Sequence, residues 1–401
     1  MKNLVVGQSG GPTAVINASL AGVIHEAIAQ SEIEKVYGMI HGVEGLLKGN
    51  LVDLKQMTEE EIILLKTTPA SYLGSCRFKL PSDMDSPVYS ELFAKMEEAN
   101  IGYFLYIGGN DSMDTVSKLS RQAEMRGSDI VFLGVPKTVD NDLVLTDHTP
   151  GFGSAAKYIA TSVRNVVTDT DAYDMKSVTI IEVMGRHAGW LTGAAALARR
   201  YEGDNPALLY LPEVPFVESD FVAAVKKELV QRNSVVICVS EGIRDRQGNF
   251  VCESAGDMQE DSFGHKLLSG SAAYLERVVR EQIGVKVRSF DPGLTQRAAS
   301  HSLSGTDVEE AYMAGEYAVQ QALSGQTGKM IRFVRAEGKE YQVQCGLADV
   351  NLICNQEKVV PAEWLSENDV KEPFLSYIRP LILGEIYPPM EEGLAKFLYR
   401  R

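Results

Sequence analysis

Asn3-Leu4-Val5-Val6, followed by Gly7-Gln8-Ser9-Gly10-Gly11-Pro12, is a short apolar run that breaks into a glycine-rich turn. Past the turn, Ile16, Leu20, Val23, Ile24, Ala27 and Ile28 recur at i, i+4, i+7, i+8, i+11 and i+12, which is one face of a helix. A buried strand, a tight turn and an amphipathic helix form the opening unit of a parallel α/β sheet. The unit recurs downstream. Continuous apolar runs appear at Tyr103–Ile107, Ile130–Val135, Val178–Val183, Ala207–Leu211 and Val235–Val239. Helical patterns at Val88–Glu98, Asp114–Met125, Ser154–Thr168 and Phe221–Gln231 separate most of them. Strands that are apolar throughout are buried on both faces, as in a mostly parallel sheet covered by helices. Six such runs divide better between two sheets than one, because 401 residues suit two domains of about 100–200 residues each.

Past Gly325 the pattern changes. Ile331–Val334 and Tyr341–Cys345 flank Ala336-Glu337-Gly338-Lys339 as a hairpin, and Pro361, Pro373, Pro380, Pro388 and Pro389 punctuate a more irregular tail. No long linker parts the two α/β regions, so ligands are expected in a cleft between closely packed domains.

Composition narrows the function classes. The formal charge is −15 and the pI near 5.0, so there is no general basic footprint for nucleic acid. A local cluster of cations can still reverse the field inside a cleft. No window reaches the roughly 18 apolar residues of a membrane span, and MKNLVVGQSGG lacks a signal-peptide pattern. The five cysteines are odd in number and contain no CxxC, so neither a disulfide framework nor a zinc site is expected. These features predict a cytoplasmic protein with no membrane or nucleic-acid partner.

In open parallel sheets, ligands bind beyond the carboxyl ends of strands. After the first run, Gly10 and Gly11 open a helix, which reads either as a tight strand-to-helix turn or as an anion site at the helix N-terminus. After Tyr103–Ile107 comes Gly108-Gly109-Asn110-Asp111-Ser112, which reads either as a second anion cradle or as a helix cap. After Ile130–Val135 comes Pro136-Lys137-Thr138-Val139-Asp140-Asn141-Asp142, the most informative segment. It sets two carboxylates beside a lysine, a base next to a phosphate-neutralising cation. Later runs end in Met184-Gly185-Arg186-His187 and in Ser240-Glu241-Gly242. His187 is read as an ordinary hydrogen-bonding residue. Gly151-Phe152-Gly153-Ser154-Ala155-Ala156 fits a dinucleotide fingerprint, but Asp147-His148-Thr149-Pro150 precedes it where a strand should stand, so that reading is rejected.

Taken together, these residues resemble the phosphofructokinase family from about residue 3 to about residue 305. The family's GGD(G/D)S motif corresponds to Gly108–Ser112, its P(G/K)T(I/V)DND motif to Pro136–Asp142 and its MGR motif to Met184–Arg186. Arg77, Glu241, Arg288 and Arg297 match single family positions. The resemblance implies two Rossmann-like α/β domains with mostly parallel sheets and the active site in the cleft between them. Residues 1–150 plus about 298–330 would bind the phosphoryl donor, 151–297 would bind fructose 6-phosphate, and 331–401 would form a C-terminal hairpin and irregular extension. It also implies a homodimer or homotetramer and Mg2+ as cofactor.

Roles carry over in the same way. Asp140 is implied as general base, with Lys137 and Arg186 as its catalytic partners. Gly11, Arg77, Gly109, Asp111 and Lys137 would bind the donor. Thr138, Asp140, Asp142, Met184, Gly185, Arg186, Glu241 and Leu294 would hold the sugar, with Arg288 and Arg297 clamping its 6-phosphate. Asn110 and Asp111 would hold the metal. ATP-using members usually carry glycine at the positions of Asp111 and Lys137, and Asp with Lys is the pattern of pyrophosphate-dependent members. Physically, Asp111 sets volume and negative charge where an α-phosphate would lie, and Lys137 adds a donor for pyrophosphate. Departures are Asn110 in place of an aspartate, Ser177 beside Lys176 in place of an intersubunit arginine, and Leu294 in place of a histidine. The expected activity is phosphoryl transfer from pyrophosphate to fructose 6-phosphate. The alternatives are an ATP-dependent enzyme of the same fold and a non-catalytic sugar-phosphate sensor.

Overall fold

The computed structural model describes residues 1–255, 270–338 and 340–400. Lys339, in the expected hairpin turn, lies outside the described residues. The strands are β1 (Lys2–Gln8), β2 (Ile33–Met39), β3 (Leu51–Asp53), β4 (Ile101–Gly108), β5 (Val131–Pro136), β6 (Ser177–Val183), β7 (Leu208–Tyr210), β8 (Ser234–Ser240), β9 (Lys286–Phe290), β10 (Lys329–Arg335) and β11 (Val343–Asp349). They form a seven-stranded sheet in the order β11-β10-β5-β4-β1-β2-β3 and a four-stranded sheet in the order β7-β8-β6-β9. Within them only β3 and β11 run antiparallel to their neighbours. All six apolar runs are strands, three in each sheet, as their burial on both faces requires.

Alternation along β1, β4 and β5 divides the larger core in two. Leu4, Val6, Leu105, Ile107, Leu133 and Val135 pack in one cluster with residues of the helices Ile16–Ala29 and Gly305–Leu323. Val5, Phe104, Tyr106 and Phe132 pack in another with residues of Pro87–Glu98 and Asn110–Arg126. Each such side chain contributes about 1.5–3 kcal/mol when fully buried. Three strands escape the reading by apolar runs. In β2, exposed Glu34 and Lys35 interrupt the pattern, and β3 has only three residues. In β9, exposed and half-buried residues alternate because it is an edge strand with one wet face.

The hairpin β10–β11 extends the larger sheet through a parallel pairing of Lys329 and Met330 with Leu133 and Gly134. The chain then crosses to the smaller sheet. Phe374 stacks on Trp190 at 5.8 Å between ring centroids, and Tyr377 and Trp364 flank the same indole at 5.3 and 6.3 Å. The C-terminal region therefore packs on both halves of the molecule. No helix among the described residues is long and apolar enough to cross a membrane.

The helix Phe152–Thr170 follows the rejected dinucleotide motif, and its N-terminus is already filled. The buried Asp307 carboxylate accepts from Gly151 N at 2.9 Å and Ser154 N at 2.8 Å. A side-chain anion thus occupies the place a dinucleotide phosphate would need. Asp307 is carried by the helix Gly305–Leu323, which lies almost backbone to backbone on Ile16–Ala29. A Cβ at Gly315 would stand 2.1 Å from Ser19 O, and one at Gly22 would stand 2.1 Å from Tyr312 O. Gly315→Ala should therefore lower the unfolding free energy by about 1–3 kcal/mol, as overpacking does, despite alanine's higher helix propensity. Urea denaturation followed by circular dichroism measures this, and an unchanged or raised midpoint would contradict the close crossing.

Candidate active site

The order β5-β4-β1 sets three parallel strands side by side, so the loops that follow them emerge together at one sheet edge. Backbone bonds knit these loops. Ser9 N donates to Ile107 O at 3.0 Å, and Lys137 N donates to Gly108 O at 3.0 Å. Ser75 Oγ donates to Gly10 O at 2.6 Å, which ties the Arg77 segment to the first loop. Lys137 leaves the apolar strand β5 and buries its side chain across the edge, donating from Nζ to Gly11 O at 2.7 Å. Burial lowers its ammonium to about 8. The carboxylate of Asp140 opposes that shift, and the charge of Arg297 adds to it.

Asp140 lies three residues on, with its N–H bonded to Thr138 Oγ1 at 3.1 Å. Burial and the neighbouring Asp142 raise its carboxyl to about 7, against the pull of Lys137, Arg186 and Arg297. Asp142 is raised as well, chiefly by burial, and its buried Oδ1 has no hydrogen-bond partner among the described residues. An unpartnered buried carboxylate oxygen is costly unless something binds it. This end of the loop is suited to a ligand hydroxyl.

The second sheet faces this cluster with the loops after β6 and β8. Gly185 turns with φ +137°, and a Cβ there would stand 2.5 Å from Ala188 O, so the bend requires glycine. Its N–H donates to Glu241 Oε1 at 3.2 Å, and its carbonyl accepts from Ser240 Oγ. Met184 N donates to the buried Gln296 at 2.9 Å. Glu241 is raised to about 8 by burial and then by Asp140, while Arg186 pulls it down. Asp140, Arg186 and Glu241 thus share one electrostatic pocket formed from both sheets.

The remaining expected residues are dispersed. Arg77 is exposed, yet its charge reaches both Lys137 and Arg297. The guanidinium of Arg297 lies against the first loop, since a Cβ at Gly11 would be 2.9 Å from its Nη1. Its charge acts on Lys137 and Asp140 as well. Arg288 is exposed on β9 opposite Thr179, four residues short of Val183 at the end of β6. At about 3.3 Å per residue it stands a strand's length from the cluster in its own chain. Leu294 is exposed just before the short helix Thr295–Ala298. His187 pairs with Glu357 at 3.5 Å.

Asn110, expected at the metal, has both ends of its carboxamide engaged. Its Oδ1 accepts from Asn355 N at 2.6 Å and its Nδ2 donates to Gln356 O at 2.5 Å, so the carboxamide is committed to the backbone. Asp111, half-buried in the first turn of Asn110–Arg126, remains as a carboxylate for a metal. Among the described residues no three His, Cys, Asp or Glu side chains group as a metal site. That donor set fits a magnesium ion held mainly by substrate phosphates and water. Gln296 and the C-terminal residues 355–358 were missed because they lie in no motif and meet the site only through long-range contacts, which leave no periodicity to read.

A protein from Halomonas elongata named pyrophosphate–fructose 6-phosphate 1-phosphotransferase is 41% identical over 400 residues, covering 98% of this chain and 95% of that protein. One of the same name from Xanthomonas campestris is 41% identical over 404 residues, covering 99% and 95%. The crystal structure of a pyrophosphate-dependent phosphofructokinase from Marinobacter aquaeolei superposes with a TM-score of 0.89 at 38% identity, covering 99% of this chain and 95% of that one. The family model described as phosphofructokinase matches residues 3–321, from β1 through the helix that carries Asp307, and the chain belongs to the phosphofructokinase family.

Proposed function

We propose that this chain is a pyrophosphate-dependent 6-phosphofructokinase, reversibly transferring a phosphoryl group from pyrophosphate to the 1-hydroxyl of D-fructose 6-phosphate. The observation that carries the reading is the buried pair of Lys137, directed at Gly11, and Asp140 beside it, a cation on the donor loop next to a carboxylate near neutrality. In the forward step the 1-hydroxyl oxygen bonds to the terminal phosphorus and the bridging P–O bond breaks. Phosphate leaves, and Asp140 accepts the hydroxyl proton. Such transfer is loose and largely dissociative, so positioning and charge neutralisation outweigh the strength of the base. Lys137, Arg77, Arg186 and Arg297 converge on that charge, with the N–H groups of Gly11 and Gly109 as further donors. Thr138, Asp142, Met184, Gly185 and Glu241 hold the sugar. Magnesium bound with pyrophosphate would spread charge over the phosphoryl oxygens, and Asp111 would hold it through water.

Arg288, exposed and remote from its own chain's cluster, is available to the 6-phosphate in a neighbouring copy. That supports a homodimer or homotetramer. All five cysteines are unpaired thiols, which suits a reducing cytoplasm.

Asp140→Asn should lower kcat by about 10²–10⁴, the usual worth of a general base, while fructose 6-phosphate still binds. Steady-state kinetics with a parallel binding titration would expose the error if turnover stayed normal. The pH dependence follows from the same groups. Below about 7 Asp140 is protonated and cannot accept the proton, and above about 8 Lys137 loses its charge. A plot of kcat/KM against pH should therefore be a narrow bell whose limbs report the coupled cluster. Asp142→Asn removes the neighbouring negative charge and should move the acid limb down. An acid limb that stays put would disconnect Asp142 from the base.

Donor choice rests on Asp111 and Lys137 acting together, so their effects should not simply add. Asp111→Gly should permit weak ATP use while pyrophosphate remains preferred. Lys137→Gly should cripple the pyrophosphate reaction without conferring ATP use, and substantial ATP activity should need both changes. Kinetics with both donors on the four proteins decides this, and robust ATP activity in the unaltered chain would reverse the assignment.

A further inference from the structure

Residues 355–358 touch both halves of the chemistry. Asn355 N and Gln356 O hold the side chain of Asn110, next to Asp111 on the donor loop. Two residues later, Lys358 N donates to Asp142 O at 2.7 Å on the base loop. Between them Glu357 faces His187 and raises Asp142 through its charge. One short segment, outside every motif, therefore bolts the donor loop to the base loop.

The grip is closest at Asn141. This residue separates the two carboxylates, is fully buried and has φ +54°, a left-handed conformation asparagine tolerates better than most residues. Both ends of its carboxamide are held from the C-terminal region. Nδ2 donates to Tyr377 Oη at 2.9 Å, and Oδ1 accepts from Lys358 Nζ at 3.2 Å. The same ammonium donates to Asp147 O at 2.7 Å, and Tyr377 Oη donates to that carbonyl at 2.7 Å. Lys358 and Tyr377 are fixed in turn. Trp190 Nε1 donates to Lys358 O at 2.9 Å, and the indole lies under the ammonium at 5.3 Å. The charged groups facing that ammonium are Asp147, Asp142 and Arg335.

We infer that Lys358 and Tyr377 are positioning residues for phosphoryl transfer, acting through Asn141 to hold Asp140 and Asp142 against the donor loop. The inference rests on reading Asp140 as the base. Neither side chain need touch substrate. Their work is to keep the loop turned at Asn141, where small displacements of a reacting group cost rate and not affinity.

The test uses the full chain with Lys358→Met and Tyr377→Phe, each alone and combined with Asp140→Asn. Each single change should lower kcat about 10-fold or more and leave KM for pyrophosphate and for fructose 6-phosphate within about twofold. Added to Asp140→Asn, neither change should lower kcat further, since the group they position is already disabled. Normal kcat in both single variants beside an inactive Asp140→Asn overturns the brace alone, even if their melting temperatures fall. Raised KM values with kcat intact overturn it too. Normal turnover in Asp140→Asn overturns the base assignment and this inference with it. If Lys358→Met fails to fold, Tyr377→Phe, which removes one hydroxyl, decides.

Discussion

Lys137 buries an ammonium at the edge of a parallel sheet, and the rest of the site is arranged around that charge. Taking a cation out of water costs several kcal/mol unless partners replace its hydration. The partners here are the Gly11 carbonyl at 2.7 Å and the carboxylates of Asp140 and Asp142. They can meet only because β1, β4 and β5 are adjacent and parallel, which brings three loops to one edge. The same burial that lowers the lysine raises both carboxylates, so cation and carboxylates move toward neutrality together. A site so poised favours a ligand that brings its own negative charge next to the lysine and its own hydroxyl next to the carboxylate.

The chain as a whole carries a formal charge of −15, yet Lys137, Arg77, Arg186 and Arg297 gather where the two sheets meet. Local reversal of an acidic protein's field concentrates anionic ligands at one place. Arg297 lies against Gly11 and so brings its charge to the first loop. Arg288 stands on the wet edge of β9.

The C-terminal region supplies mechanical continuity. It adds two strands to the larger sheet, stacks Phe374 on Trp190 beside the smaller one with Tyr377 flanking the indole, and bonds both loops in between. A buried polar network accompanies it. His148 lies between Asp147 and Glu310 at 2.8 and 2.6 Å, and Arg335 also reaches Asp147. Burial opposes the charge on His148, but the two carboxylates outweigh it and raise the imidazole above its usual value. Such a network is costly when partly satisfied and rigid when complete, which suits the wall behind a loop that must not drift.

By itself, the sequence determined every feature written in local or periodic form. Runs apolar on both faces specify the six central strands, and the glycine-rich turns after them mark the end of the sheet where the loops gather. Pro136–Asp142 announces its chemistry because lysine and aspartate rarely follow so apolar a strand without a reason. The edge strand β9 stayed hidden because one wet face breaks the run, and β2 because Glu34 and Lys35 interrupt it. Tertiary structure alone decided which distant groups meet. Asn110 was legible as part of a motif, but its commitment to Asn355 and Gln356 was not. Gln296 reaches Met184 across 112 positions, and Lys358 reaches Asn141 across 217. Such pairings are set by how two sheets and a crossing segment pack, and single long-range bonds leave no pattern along the chain from which their partners could be read.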